Sequence, residues 1–185
     1  MPRERTPRLI PTSFFAPAER SALRLDGELG DLGAVEGTPG PPPTPGDRAE
    51  FLARELAPGM IAERETVLWV TGVLDAMPVP LLVCVDSRHR YVEPILRGVV
   101  VREVVIDADQ TETRHGLRLT RPARTVLDLV RRDEATDVAL LRRYVAVTGL
   151  RRRAVLDQLE RRRHLPHKRR ALTRIEQLFA PVSPP

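Results

Sequence analysis

The chain contains a single cysteine, Cys84, so no internal disulfide can form. One Cys and four His also fall short of the ligand framework of a structural zinc site. No apolar run approaches the ~20 residues needed to span a bilayer. The longest, residues 77–85, is interrupted by Pro78 and Pro80. The opening Met1-Pro-Arg-Glu-Arg5 lacks the apolar stretch of a secretory signal, so a soluble, cytoplasmic protein without membrane partners is expected. There is no Gly-rich phosphate loop, no Gly-x-Ser-x-Gly elbow and no His-Glu-x-x-His pair. A non-enzyme without metal or cofactor is the expectation.

What remains is enough for a core and a segregated charge. The 185 residues are 42% hydrophobic, which excludes wholesale disorder. Residues 1–110 carry 12 basic and 17 acidic side chains, a balance of −5, and residues 111–185 carry 18 and 8, a balance of +10. Lys168 is the only lysine. A GC-rich genome accounts for arginine over lysine but not for the segregation. A basic end on an acidic body points to nucleic acid more than to a membrane.

Along the chain, Pro17–Leu25 reads as a short helix that Asp26-Gly27 breaks. Five prolines and three glycines in Gly37–Gly46 mark a linker, dividing the chain into residues 1–36 and a domain over 47–180. Beyond it, Asp47–Leu56 and Ile61–Leu74 read as helices, and Leu81–Val85 as a buried strand. Ile95–Ile106 reads as one strand or two around a bend, and Gly116–Thr120 as a third. Helices are predicted over Pro122–Arg132, Glu134–Val147, Arg151–Arg163 and Pro166–Phe179. Helices, strands, then helices imply an α+β fold, a small sheet flanked by helices with a basic helical tail.

The sharpest stretch is Gly116-Leu-Arg-Leu-Thr-Arg-Pro-Ala-Arg-Thr-Val-Leu-Asp-Leu129, a strand handing over to a helix. Thr120 is positioned to cap, Pro122 suits the first turn, and Arg121, Arg124 and Asp128 fall on one face at spacings of three and four. An ion-paired surface is one reading of that face, and a buried clasp is the other. With Thr125, these residues resemble the "G-L-x-V-T-x-P-x-R-T-x-x-D-L" signature of AbiEi-type antitoxins, with Leu119 where Val is usual. Ala62–Gly72 is similar to that family's Ser-Ala-Ala-x-x-x-x-Gly helix, with Thr66-Val67 in its place. Val101–Ile106 resembles the strand before the motif, and Leu165–Leu172 a tail of actinobacterial members.

The resemblance covers roughly residues 48–178 and implies an AbiEi-like C-terminal domain. It further implies a type IV toxin–antitoxin or abortive-infection regulator that represses its own operon through promoter DNA. That system opposes a nucleotidyltransferase-like toxin. The family's N-terminal winged helix is expected to be degenerate here, because about 36 residues with one short helix precede the linker. Gly30–Gly37 is a candidate remnant of its wing.

Two further groups of side chains are candidate sites. Arg151, Arg152, Arg153, Lys168, Arg169, Arg170 and Arg174 are candidates for DNA. The clusters that open helices place cations where the dipole opposes them by ~0.3–1 kcal/mol each. A solvated face or pairing with the acidic half is the alternative. Asp107, Asp109 and His115 would have to converge, with a further acid, for a metal-dependent nuclease or hydrolase. A polar turn is their simpler reading. A pure protein-interaction module, its basic tail on an acidic partner, is the remaining rival. Cys84 and Trp69 read as core, and His89 as an exposed loop residue.

Overall fold

The computed structural model describes residues 9–11, 15–31, 35–37, 42–89, 91, 98–132, 137–161 and 167–181. Its first elements are β1 (Leu9–Pro11), α1 (Pro17–Leu25), β2 (Gly30–Asp31) and β3 (Val35–Gly37). Pro17 pre-sets the first turn of α1, and Gly27, at φ +73°, turns the chain out of it. The strands form an antiparallel sheet ordered β1-β3-β2, so a hairpin occupies the segment expected to be a wing remnant. Leu9 is buried in the main core, so residues before the linker contribute to it.

The expected linker is shorter than its proline content suggested. Gly37 pairs within β3, and α2 (Pro45–Glu55) already contains Gly46. The cause is a capping box: the Asp47 amide donates to Thr44 Oγ1 at 3.2 Å, and the Thr44 amide donates to Asp47 Oδ2 at 2.9 Å. Pro45 at the opening position has no amide to lose.

The helix predicted over Ile61–Leu74 divides into a strand and a shorter helix. Ile61 and Ala62 form β4 in the middle of the large sheet, both fully buried, and α3 spans Arg64–Val70. Two fully buried residues carry no period that separates strand from helix. Then follow β5 (Leu81–Asp86), β6 (Val99–Val104), a 3-10 turn (Ala108–Gln110), β7 (Thr111–Arg114) and β8 (Leu117–Thr120). His115 and Gly116, both at positive φ, make the two-residue turn between β7 and β8. The sheet is mixed, ordered β6-β5-β4-β8-β7, with β5–β6 and β4–β8 parallel.

Among the described residues four helices follow: α4 (Pro122–Val130), α5 (Val138–Thr148), α6 (Arg152–Glu160) and α7 (Lys168–Phe179). Asp137 caps α5 by accepting the amides of Ala139 and Leu140, so that helix starts later than predicted. The fold is α+β, as the order of elements implied.

The main core is joined by two smaller apolar clusters, one of Met60, Val83 and Val85 and one of Ile61, Cys84 and Ile106. Trp69 is buried, edge-on to Phe51 with ring centroids 6.4 Å apart, and Arg48 lies 5.2 Å over its ring. Arg48 also donates to the carbonyls of Trp69 and Leu74 at 2.6 and 2.7 Å, tying α2 to the end of α3. Burial lowers its pKa, while the charge of Asp75 opposes the shift.

Candidate functional site

The β8–α4 junction carries the motif. Thr120 does not cap the helix; Arg121 is the capping residue, without a side-chain cap. Thr120 and Thr125 instead place their hydroxyls 2.7 Å apart, both fully buried, and Thr125 donates back toward the carbonyls of Thr120 and Arg121. Pro122 opens α4 as expected. Arg121 reaches sideways, donating through Nε to the Thr111 carbonyl at 3.0 Å and stitching β7 to the junction.

Arg124 and Asp128 share a face, but that face is not a surface. Arg124 is 1% exposed and Asp128 3%, because every residue from 124 to 130 on α4 is buried. Helices α3, α5, α6 and α7 pack around α4, which an isolated amphipathic pattern cannot reveal. Arg124 donates to Asp128 Oδ2 through Nε and to Gln110 Oε1 through NH1, both at 2.7 Å. Arg102 on β6 donates to the same Asp128 oxygen at 3.1 Å and grips Glu63 through Nε and NH2 at 3.0 and 2.5 Å. Gln110 in turn donates to Gln158 on α6 at 2.8 Å.

This chain of contacts joins the end of β4, edge strand β6, the 3-10 turn, α4 and α6. Its carboxylates face guanidiniums, which offsets part of the cost of burying charge, while Asp128 Oδ1 makes no hydrogen bond among the described residues and has Arg131 NH1 3.8 Å away. Burial would lower the pKa of Arg102, but its hydrogen bonds to Glu63 and the charges of Asp128 and Glu63 outweigh it and hold the group charged. Cys84 pairs with Arg102 in the β5–β6 register. Burial, with Glu63 adding, pushes its thiol far above neutral, against the opposing effect of Arg102. It is a core residue, and burial disfavours the thiolate form that a nucleophile needs. Glu63, Arg102 and Gln110 were missed in the sequence. The only signal was an acid after an apolar pair and an arginine within a valine strand.

The three residues of the hydrolase reading do not converge. Asp107 accepts from Arg88 NH1 at 3.0 Å, and Asp109 from Arg161 NH1 at 2.7 Å. His115 stands at the far end of β7 with Nδ1 3.6 Å from Glu50. Arg88 also binds Asp86, whose carboxyl its hydrogen bonds pull down to about 2. Among the described residues, no His/Cys/Asp/Glu group could hold a metal ion.

The basic candidates separate into two sets. Arg174 is structural: its NH1 donates to the carbonyls of Val130 and Arg132 at 3.1 and 2.6 Å, closing the end of α4. Arg153 pairs with Asp157 at 2.7 Å within its own helix. Arg151, Arg152, Arg169 and Arg170 are exposed and Lys168 is half-buried. Neither α6 nor α7 has a side-chain cap or an acid in its first turn. Each therefore opens on first-turn amides without a side-chain cap, beside basic side chains. Arg162 and Arg163 lie outside the described residues.

The same fold class occurs in a solved structure. The RV2827C protein of Mycobacterium tuberculosis superposes with a TM-score of 0.50 at 16% identity, over 94% of this chain and 71% of that one. At that identity the likeness concerns architecture alone. No family model and no curated protein matches the sequence. Among the described residues, no helix is long and apolar enough to cross a membrane.

Proposed function

We propose that this chain is an antitoxin-like regulator of the AbiEi type that binds promoter DNA through its basic helical end. The observation that carries the reading is the pair of uncapped first turns, α6 with Arg151 and Arg152, and α7 with Lys168, Arg169 and Arg170. Helix amides and basic side chains together suit phosphate oxygens, and these contacts would supply affinity without reading sequence.

The N-terminal helix and hairpin resemble half of a winged helix in their order. Their charge argues against a leading role on DNA: residues 9–37 hold two basic and five acidic side chains. The motif is assigned a scaffold role that holds α4 and, through Gln158 and Arg174, the helices bearing the cations.

Two experiments test the proposal. Arg151→Gln with Arg152→Gln should weaken binding to the upstream promoter fragment while leaving the thermal midpoint in place. Unchanged affinity would remove α6 from the interface. Expression of the chain should also relieve growth arrest by a nucleotidyltransferase-like toxin from its own locus. A locus without such a gene would leave the antitoxin reading without its partner.

A further inference from the structure

Arg64, the first residue of α3, has a side chain only 20% exposed, yet it makes no hydrogen bond among the described residues. Its Nε is buried without an acceptor, and its one charged contact, Glu63 Oε1, lies 3.6 Å away. A guanidinium carries five N–H donors, and burying them unused is costly. The backbone at Arg64 is also left-handed, at φ +52°, a conformation that a β-carbon disfavours and that clusters at ligand sites.

The same Glu63 oxygen receives Arg102 Nε at 3.0 Å, so two guanidiniums border one buried carboxylate. Arg102 is 32% exposed, and its NH1 donates to nothing among the described residues. Both arginines therefore have donors left over. Arg64, Arg102 and Arg124 face Glu63 and Asp128 through contacts of 2.5–3.6 Å, three cations to two anions. The clasp carries a surplus of positive charge where it meets solvent.

We propose that the side chains of Arg64 and Arg102 form a phosphate-binding site on the exposed side of the clasp. A phosphate group carries several acceptor oxygens in a tetrahedral array, enough to accept from two guanidinium forks at once. Its charge offsets the surplus cation, and its oxygens are the acceptors that Arg64 lacks. Glu63 does not compete for the ligand's place, because both its oxygens are engaged by Arg102. The inference does not rest on DNA binding by α6 and α7. Free phosphate compounds and a nucleic-acid backbone share this chemistry.

Isothermal titration of the full chain with inorganic phosphate at low ionic strength tests the site. The wild type should bind phosphate saturably, and so should the Arg151→Gln with Arg152→Gln variant. Arg64→Gly suits the left-handed backbone and removes the fork, and should weaken binding by about tenfold or more. Arg64→Lys should recover only part of it, because an ammonium keeps the charge without the fork. Circular dichroism checks that each variant is folded; should Arg64→Gly fail to fold, Arg64→Lys against wild type makes the same comparison. Promoter DNA separates the two sources. Loss of phosphate binding with promoter affinity intact assigns the site to a free phosphate compound, and loss of both assigns it to the DNA backbone. A wild type that binds no phosphate, or Arg64 variants that bind it unchanged, overturn the inference. So does phosphate binding that disappears with Arg151 and Arg152 instead.

Discussion

Arg124 and Asp128 stand one turn apart on α4 with Nε 2.7 Å from Oδ2, and neither side chain is more than 2% exposed. Asp128 also receives Arg102, so its carboxylate is the point where α4 is fastened to the edge strand. Asp128→Ala leaves Arg124 buried without its anion, a change of about 3–5 kcal/mol. Equilibrium urea denaturation measures it. A loss below about 1 kcal/mol, the range of an exposed pair, would remove the clasp from the account.

Tyr144 makes stability sensitive to high pH. Burial pushes its hydroxyl up to about 12, while its hydrogen bond with Thr125 works the other way. The unfolded phenol ionises near 10, so between about 10 and 12 the native state holds a proton that the unfolded state has lost. Stability should therefore fall as pH rises through that window. Tyr144→Phe should flatten the decline in a series of denaturation curves; an unchanged slope would place the sensitivity elsewhere.

Cys84 should resist alkylation in the native state. It is fully buried, and its thiol is held well above neutral. Iodoacetamide at pH 8 should label it only at the rate of unfolding, and denaturant should make labelling fast. Rapid native labelling would show that β5 is open to solvent.

The α+β class and α1 were legible because caps, prolines and apolar spacing are local signals. The clasp was half legible: a spacing of four placed Arg124 beside Asp128, but their burial depends on α6, α7 and β6 closing over α4. Glu63 and Arg102 lie 39 residues apart, and no local pattern joins them. Strand β4 escaped because its two residues make their pairings with β5 and β8, which lie far along the chain. Arg174 looked like a further cation of the tail; its use on the carbonyls of Val130 and Arg132 appears only in three dimensions.

The salt dependence of promoter binding tests the proposed function most directly. Affinity should be measured at several salt concentrations for the wild type and for a variant with Lys168→Gln, Arg169→Gln and Arg170→Gln. Each lost phosphate contact should flatten the slope of log K on log salt by about 0.9. Weaker binding with a shallower slope and unchanged base preference is the result this account predicts. Equal slopes for both proteins, or no wild-type affinity at low salt, would contradict it.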